Sequence, residues 1–365
     1  MKKWTSLVTF ILLMPVVGMQ PESSGIHGNI QIQAAKTLWG TDNNFDQLYG
    51  RANLMWAFQE DSTFSSLIQV RAYPAGFGYE QLIGASYNPQ DTTKFKVPVI
   101  AQKKSPETDL PVLQIYQAWI RYKFPDFDIK VGRLITHNTK SLHFGNYLDS
   151  PSGGTFTLSR HGIHNALEGY KVFGIFDTRA HLGVGDLLGN RGFLRVYETI
   201  KPSRNFSFGL GYRANIFDLV HYDYNDSNTK IIHRIAANID YDLSQNLNLY
   251  MEAGWIHERD ASSKDPLPSL ISINYTLPSV FKKMLKNKFK ILDVLDKIRV
   301  EGEFLYNRKD FEGSYSGIDK NFLWNIYGEK TWLKRMYFQG GIFAAPTRSH
   351  RHNVGIGARF TSKIN

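Results

Sequence analysis

Polar and apolar residues alternate along most of the chain. From Lys230 to Asp242, one side carries Ile231, His233, Ile235, Ala237, Ile239 and Tyr241, and the other Arg234, Ala236, Asn238 and Asp240. Segment 246–258 sets Leu247, Leu249, Met251, Ala253 and Trp255 against Asn248, Tyr250, Glu252 and Gly254. The same rhythm returns at 205–214, 298–307 and 352–360. A period of two sustained over about ten residues specifies strands with one apolar and one polar face. About sixteen such strands are expected, with fourteen to eighteen as the range. They fall near 26–35, 46–58, 64–75, 112–124, 127–135, 165–175, 179–186, 192–200, 205–216, 230–242, 246–258, 269–277, 298–307, 321–329, 335–344 and 352–361.

A soluble sandwich alternates as well. Here the strands are longer than the usual five or six residues, and aromatics stand at strand ends as well as centres. Connection lengths also alternate. Short ones are expected at 60–62, Pro125-Asp126, Phe176-Asp177, 201–204, 243–245 and 330–334, and long ones near 78–111, 136–161, 217–229, 259–268 and 308–320. Short turns on one side and long loops on the other predict an all-β fold, a transmembrane antiparallel β-barrel with periplasmic turns and extracellular loops. Sixteen strands enclose a lumen rather than a packed core.

The alternation fails at 278–297. There Phe281, Leu285, Phe289, Leu292 and Leu295 share a helical face, with Lys282, Lys283, Lys286, Lys290 and Lys297 over much of the rest. This predicts one short amphipathic helix on the periplasmic side. Three placements follow from the pattern: a connector on the barrel rim, a helix in the inner-leaflet interface, or a segment folded under the barrel.

Composition narrows the compartment. The chain has no Cys, so disulfide frameworks and Cys-ligated metal sites are excluded. Residues 1–18 carry Lys2 and Lys3, an apolar run from Leu7 to Val17, and small residues at Val16 and Gly18. That pattern is a secretory signal peptide, leaving 19–365 as a single barrel domain. Beyond it no apolar run is long enough for a spanning helix. The formal net charge is +10.

At 112–134 the chain reads VLQIYQAWIRYKFPDFDIKVGRL. The hairpin with Tyr116, Ala118, Trp119, Tyr122 and Phe124, a tight turn, then Val131, Gly132 and Arg133 resembles the bacterial outer-membrane porins of the phosphate-selective and related substrate-channel type. The likeness in specific residues covers this hairpin, and in pattern the whole chain after residue 18. It implies a channel of sixteen or eighteen strands, often a homotrimer, with extracellular loops folded inward. Barrels of this group usually end on an aromatic residue, whereas here Phe360 is followed by 361–365.

Read by parity, the lumen face carries Arg51, Arg71, Arg121, Lys123, Arg213, Arg234, Arg299 and Arg359, with Asp240, Glu252, Glu301 and Glu303 as acidic partners. The basic excess predicts a mild anion bias, and the carboxylates argue against strict selectivity. Such residues also fit plain bracing of the wall. Loop 136–161, with Lys140, His143, Asp149, Arg160 and His161 in a Gly/Ser-rich frame, is the candidate constriction, or else a solvated surface loop. Gly209-x-Gly211-x-x-Ala214 matches a dinucleotide fingerprint on paper but lies within a strand with no helix after it. No catalytic set, metal site or cofactor is expected, and nucleic acid is not an expected partner. The sequence points to a non-enzymatic porin of the Gram-negative outer membrane. It would admit small hydrophilic solutes and contact outer-membrane lipid and lipopolysaccharide. The alternative is a structural barrel that docks a secretion or envelope-assembly complex, and a barrel-rim hydrolase is a more distant one.

Overall fold

The computed structural model describes residues 24–39, 47–59, 63–72, 99–104, 109–135, 163–186, 189–218, 232–258, 265, 267–278, 295–306, 320–332, 335–346 and 352–364. Its strands are β1 (Gly25–Trp39), β2 (Gln47–Gln59), β3 (Phe64–Ala72), β4 (Val99–Lys104), β5 (Asp109–Lys123), β6 (Asp128–Ile135), β7 (Ile163–Phe173), β8 (Phe176–Asp186) and β9 (Gly189–Ile200), then β10 (Phe206–Asp218), β11 (Ile232–Ser244), β12 (Leu247–Glu258), β13 (Leu267–Thr276), β14 (Lys297–Tyr306), β15 (Lys320–Trp332), β16 (Met336–Pro346) and β17 (His352–Ile364). Each ring strand pairs antiparallel with the next, β3 with β5 past β4, and β1 pairs with both β2 and β17. The ring is therefore closed by sixteen strands. Short β4 stands outside it, continuing along β5 above the point where β3 ends.

The sixteen expected strands all lie in the ring. β4 is an addition, inside what the sequence presents as a long loop. The last strand runs past Phe360 to Ile364, so the chain continues in register with β1 beyond the aromatic residue. Three short turns differ: one falls at Gly174-Ile175, with Phe176 and Asp177 already paired in β8; one falls at Gln245-Asn246, with Leu243 and Ser244 still in β11; and Lys330, Thr331 and Trp332 still pair within β15. Gly174 has φ 58°, a left-handed conformation that glycine adopts without a Cβ penalty. The helical segment expected at 278–297 lies outside the described residues over 279–294. Its described flanks meet: Leu277 N–H donates to the Asp296 carbonyl at 2.9 Å, and Asp296 accepts from Lys330 Nζ at 3.0 Å.

Burial shows which way each face points. Ile120 and Leu182 are both 53% exposed, and Leu54, Trp56, Ile68, Leu210, Ile271, Ile326 and Ile356 stand on the same outer register. An apolar belt of this extent is an aggregation surface in water and a fitting one in a bilayer. No described helix is long and apolar enough to cross a membrane; the apolar belt lies on the strands themselves. The short-turn end carries an aromatic girdle, with Phe58 against Phe64, Tyr122 and Phe127 against Phe124, Phe173 against Phe176, and Phe206 against Tyr241. Aromatic rings with a polar tip or a polarisable face collect at membrane interfaces.

Candidate functional site

The inner face is built by the residues between those outward positions. Register turns them into rows. Arg121 pairs with Lys130, Lys130 with Glu168, Glu168 with His181, His181 with Arg195, Arg195 with Arg213, and Arg213 with Arg234. Seven neighbouring strands, β5 to β11, thus each give one ionisable side chain to a single row. Arg121 and Lys130 lie near the periplasmic ends of β5 and β6, and Arg234 lies near the extracellular end of β11. Because barrel strands tilt, a row along the hydrogen-bond direction climbs the wall, and this one is a ramp from one mouth toward the other.

The ramp is held by two kinds of contact. Glu168 bridges Lys130 at 3.2 Å and His181 Nε2 at 2.7 Å. Arg121 pairs with Asp128. Aromatic faces receive the other cations: Lys130 lies over Trp119 at 4.9 Å, Arg195 over Tyr197 at 5.5 Å and Arg213 over Phe193 at 4.3 Å. A guanidinium or ammonium over a ring is attracted by the negative π face. One residue pair down the wall, Arg179 lies over Tyr170 at 4.0 Å, and on the strand pair β3–β5, where the row begins, Arg71 lies over Tyr116 at 3.1 Å. Tyr116 reaches that position through a bulge, where the β3–β5 register slips between Gln69 and Val70. The extra residue re-aims the ring inward.

Two glycines make room for this lining. A Cβ on Gly209 would overlap the Tyr197 hydroxyl and the Asn238 amide oxygen. Its absence lets Tyr197 reach across β10 and donate a hydrogen bond to Asn238. Gly132, in the Val-Gly-Arg motif, has φ 131°, and a Cβ there would overlap the Ala118 carbonyl and the Trp119 backbone. Gly209, the first glycine of the spacing that mimics a nucleotide fingerprint, thus serves packing.

The arc from β12 to β15 is acidic. Tyr250 donates to Glu252. Glu301 accepts from Asn325 at 3.1 Å and from Ser272 and Tyr327 at 3.4 Å. Arg299 reaches Glu329 at 3.3 Å and Glu301 at 3.9 Å. At the periplasmic mouth a cavity of about 960 Å³ is lined by both signs of charge, among them Asp177, Arg179, Lys201, Asp240, Asp242 and Arg299. There Lys201 pairs with Asp177 at 2.9 Å and Asn248 ties to Asp240 at 2.6 Å.

The residues expected on the lumen face are distributed as follows. Arg71, Arg213, Arg234, Glu252, Glu301 and Glu303 are on the inner register and buried, Arg213 and Arg234 to 0% exposure. Arg121, Asp240, Arg299 and Arg359 share that register and are half-buried. Arg359 donates to Gln339 at 3.4 Å. Lys123 is exposed at the periplasmic end of β5. Arg51 stands opposite Gln31, and its side chain lies outside the described residues, as do Lys140, His143, Asp149, Arg160 and His161. The wall buries many of them, with rings, amides and opposite charges around them in place of solvent. Lys130, Glu168, His181, Arg179, Arg195 and Glu329 belong to the same lining and escaped the parity reading. Extending the parity of Tyr197 to Arg195, and of Tyr170 to Glu168, is the signal that finds them.

No family model matches the sequence, and no curated protein matches it. Solved structures do match by shape. A loop-deletion variant of OmpT, an outer membrane protein of Vibrio cholerae, aligns over 93% of this chain and 99% of its own, with TM-score 0.55 and 10% identity. The outer membrane channel DcaP of Acinetobacter baumannii aligns over 93% and 96%, with TM-score 0.55 and 9% identity. A mutant porin of Rhodopseudomonas blastica aligns over 94% and 100%, with TM-score 0.51 and 8% identity. At such identities the likeness is one of fold. The closed ring, the apolar outer belt and the polar lining place the chain in the fold of the bacterial outer-membrane porins.

Proposed function

We propose that the chain is a passive diffusion channel of the outer membrane for small hydrophilic solutes, with a mild preference for anions and no covalent step. The observation that carries the reading is the closed sixteen-strand ring with an apolar outside and a charged inside. Solute choice then rests on size and on the field of the wall. Buried charges act at a distance: low-dielectric walls focus their potential into the lumen. The ramp on β5–β11 supplies positive potential, and the carboxylates of β12–β15 moderate it. The exported chain begins after residue 18 in this reading. Its surroundings are outer-membrane lipid and lipopolysaccharide, and its assembly is a homotrimer.

The test is planar-bilayer conductance of the refolded chain in a salt gradient. Steady ohmic steps with an anion-selective reversal potential are expected. Steps with cation selectivity contradict the charge assignment. A folded, heat-modifiable barrel that passes no current contradicts the channel.

A further inference from the structure

The outer wall carries a polar array that the channel reading does not use. Near the extracellular ends of β10 to β13, His233 and His257 stand directly opposite each other on adjacent strands. Both share the outward register of Ile235, away from the buried Arg234 and Ile256. Their ring centroids are 6.3 Å apart, with the planes at 22°. Tyr212 flanks one side, stacked on His233 at 6.1 Å, and Trp255 the other, stacked on His257 at 5.4 Å. The site is open: Tyr212 is 37% exposed and the His257 side chain 42%.

The hydrogen bonds within the array all use one nitrogen of each ring. His233 Nδ1 meets the Tyr212 hydroxyl at 2.8 Å. His257 Nδ1 meets the Asp265 carboxylate at 3.0 Å, and that carboxylate also accepts from Trp255 Nε1 at 2.8 Å. These contacts leave Nε2 of each ring unused. A carboxylate on Nδ1–H fixes the tautomer that presents a lone pair at Nε2, the arrangement that supports metal-ligating imidazoles. Cβ atoms of directly opposite residues are about 4.5–5.5 Å apart. A shared ion would lie about 2.0–2.1 Å from each Nε2, so binding would draw the two rings closer than their 6.3 Å centroid separation.

We propose that His233 and His257 form a two-imidazole site for a divalent transition metal of the Zn²⁺ or Cu²⁺ type. Asp265 and Tyr212 orient the rings, and Trp255 anchors Asp265. Imidazole selects such ions over Ca²⁺ and Mg²⁺, which take oxygen ligands. Among the described residues no group of three or more His, Asp or Glu side chains forms a ready-made cage. The protein therefore supplies two ligands, and water or a headgroup oxygen takes the rest. The site does not depend on the barrel conducting.

The experiment is calorimetric titration of Zn²⁺ into the full refolded chain in detergent, beside H233N/H257N and D265N, with folding checked by heat modifiability. One equivalent of Zn²⁺ is expected for the unaltered chain. The double variant should lose at least about tenfold in affinity, and D265N about tenfold through the lost support. Cu²⁺ bound to the unaltered chain should show the electron-spin signature of two nitrogen donors. Absence of Zn²⁺ binding overturns the proposal. So does equal affinity in the folded double variant, which would place the ion on other histidines, or a Cu²⁺ spectrum without nitrogen donors.

Discussion

Two arcs of the inner wall solve the burial of charge differently. On β5 to β11 the cations lie in one row, and Arg195, Arg213 and Arg234 occupy directly paired positions. Like charges at such positions repel, so this arc spends aromatic faces on them: Tyr197 and Phe193 sit under Arg195 and Arg213. On β12 to β15 the carboxylates sit in a shell of hydroxyl and amide donors, with Arg299 set between Glu301 and Glu329. The acidic arc is compensated within itself by a neighbouring guanidinium. The basic arc holds three guanidinium groups side by side. A lumen with both signs on its wall can thus keep a net direction to its field.

The comparison breaks most sharply at the single carboxylate of the basic row. Glu168→Leu leaves Lys130 and His181 buried without their shared partner, and should cost about 3–5 kcal/mol. Urea unfolding in lipid, followed by tryptophan fluorescence, reads this. A K130M/E168L double variant should recover much of the loss, since removing both charges is far milder than stranding one. If the single variant unfolds at the same urea concentration as the unaltered chain, Glu168 does not hold the row.

Next in size is the aromatic support. Gly209→Val puts side-chain atoms where the Tyr197 hydroxyl lies, and overpacking of this kind costs about 1–3 kcal/mol. Tyr197→Phe in the same background should relieve part of it, because the hydroxyl is one of the atoms displaced. On the acidic arc, Glu301→Leu leaves the Asn325 amide and the Ser272 and Tyr327 hydroxyls without their acceptor. The expected cost is again about 1–3 kcal/mol, read by the same unfolding curve. The smallest effect belongs to the mouth. Lys201 is half exposed in its pair with Asp177, so Lys201→Ala should shift stability by less than about 1 kcal/mol.

The ring was legible in the sequence because its outer face must be apolar at every second residue, whatever the lining does. The lining was less so. Segments 165–175 and 192–200 place apolar or aromatic residues on both faces, with Phe193 and Tyr197 inside and Leu194 and Val196 outside. Alternation is faint there, and Arg195 and Glu168 went unread. Tyr116 lies at a bulge, where parity fails by construction. β4 pairs with β5, and its mixed, lysine-containing run carries no alternation to mark it. The ramp itself has no signature along the chain: its members lie on seven strands, and only register brings them into one row. His233 was legible as an outward residue of its strand, but its pairing with His257 again needed the register.

The most direct test of the central claim is the reversal potential of the triple variant R195Q/R213Q/R234Q beside the unaltered chain, both refolded in planar bilayers under the same salt gradient. The account predicts anion preference in the unaltered channel, and its loss or inversion in the variant, as the carboxylates of β12–β15 come to dominate the field. An unchanged anion preference in a folded, conducting variant would contradict it, because the selectivity would then arise away from the arginine row.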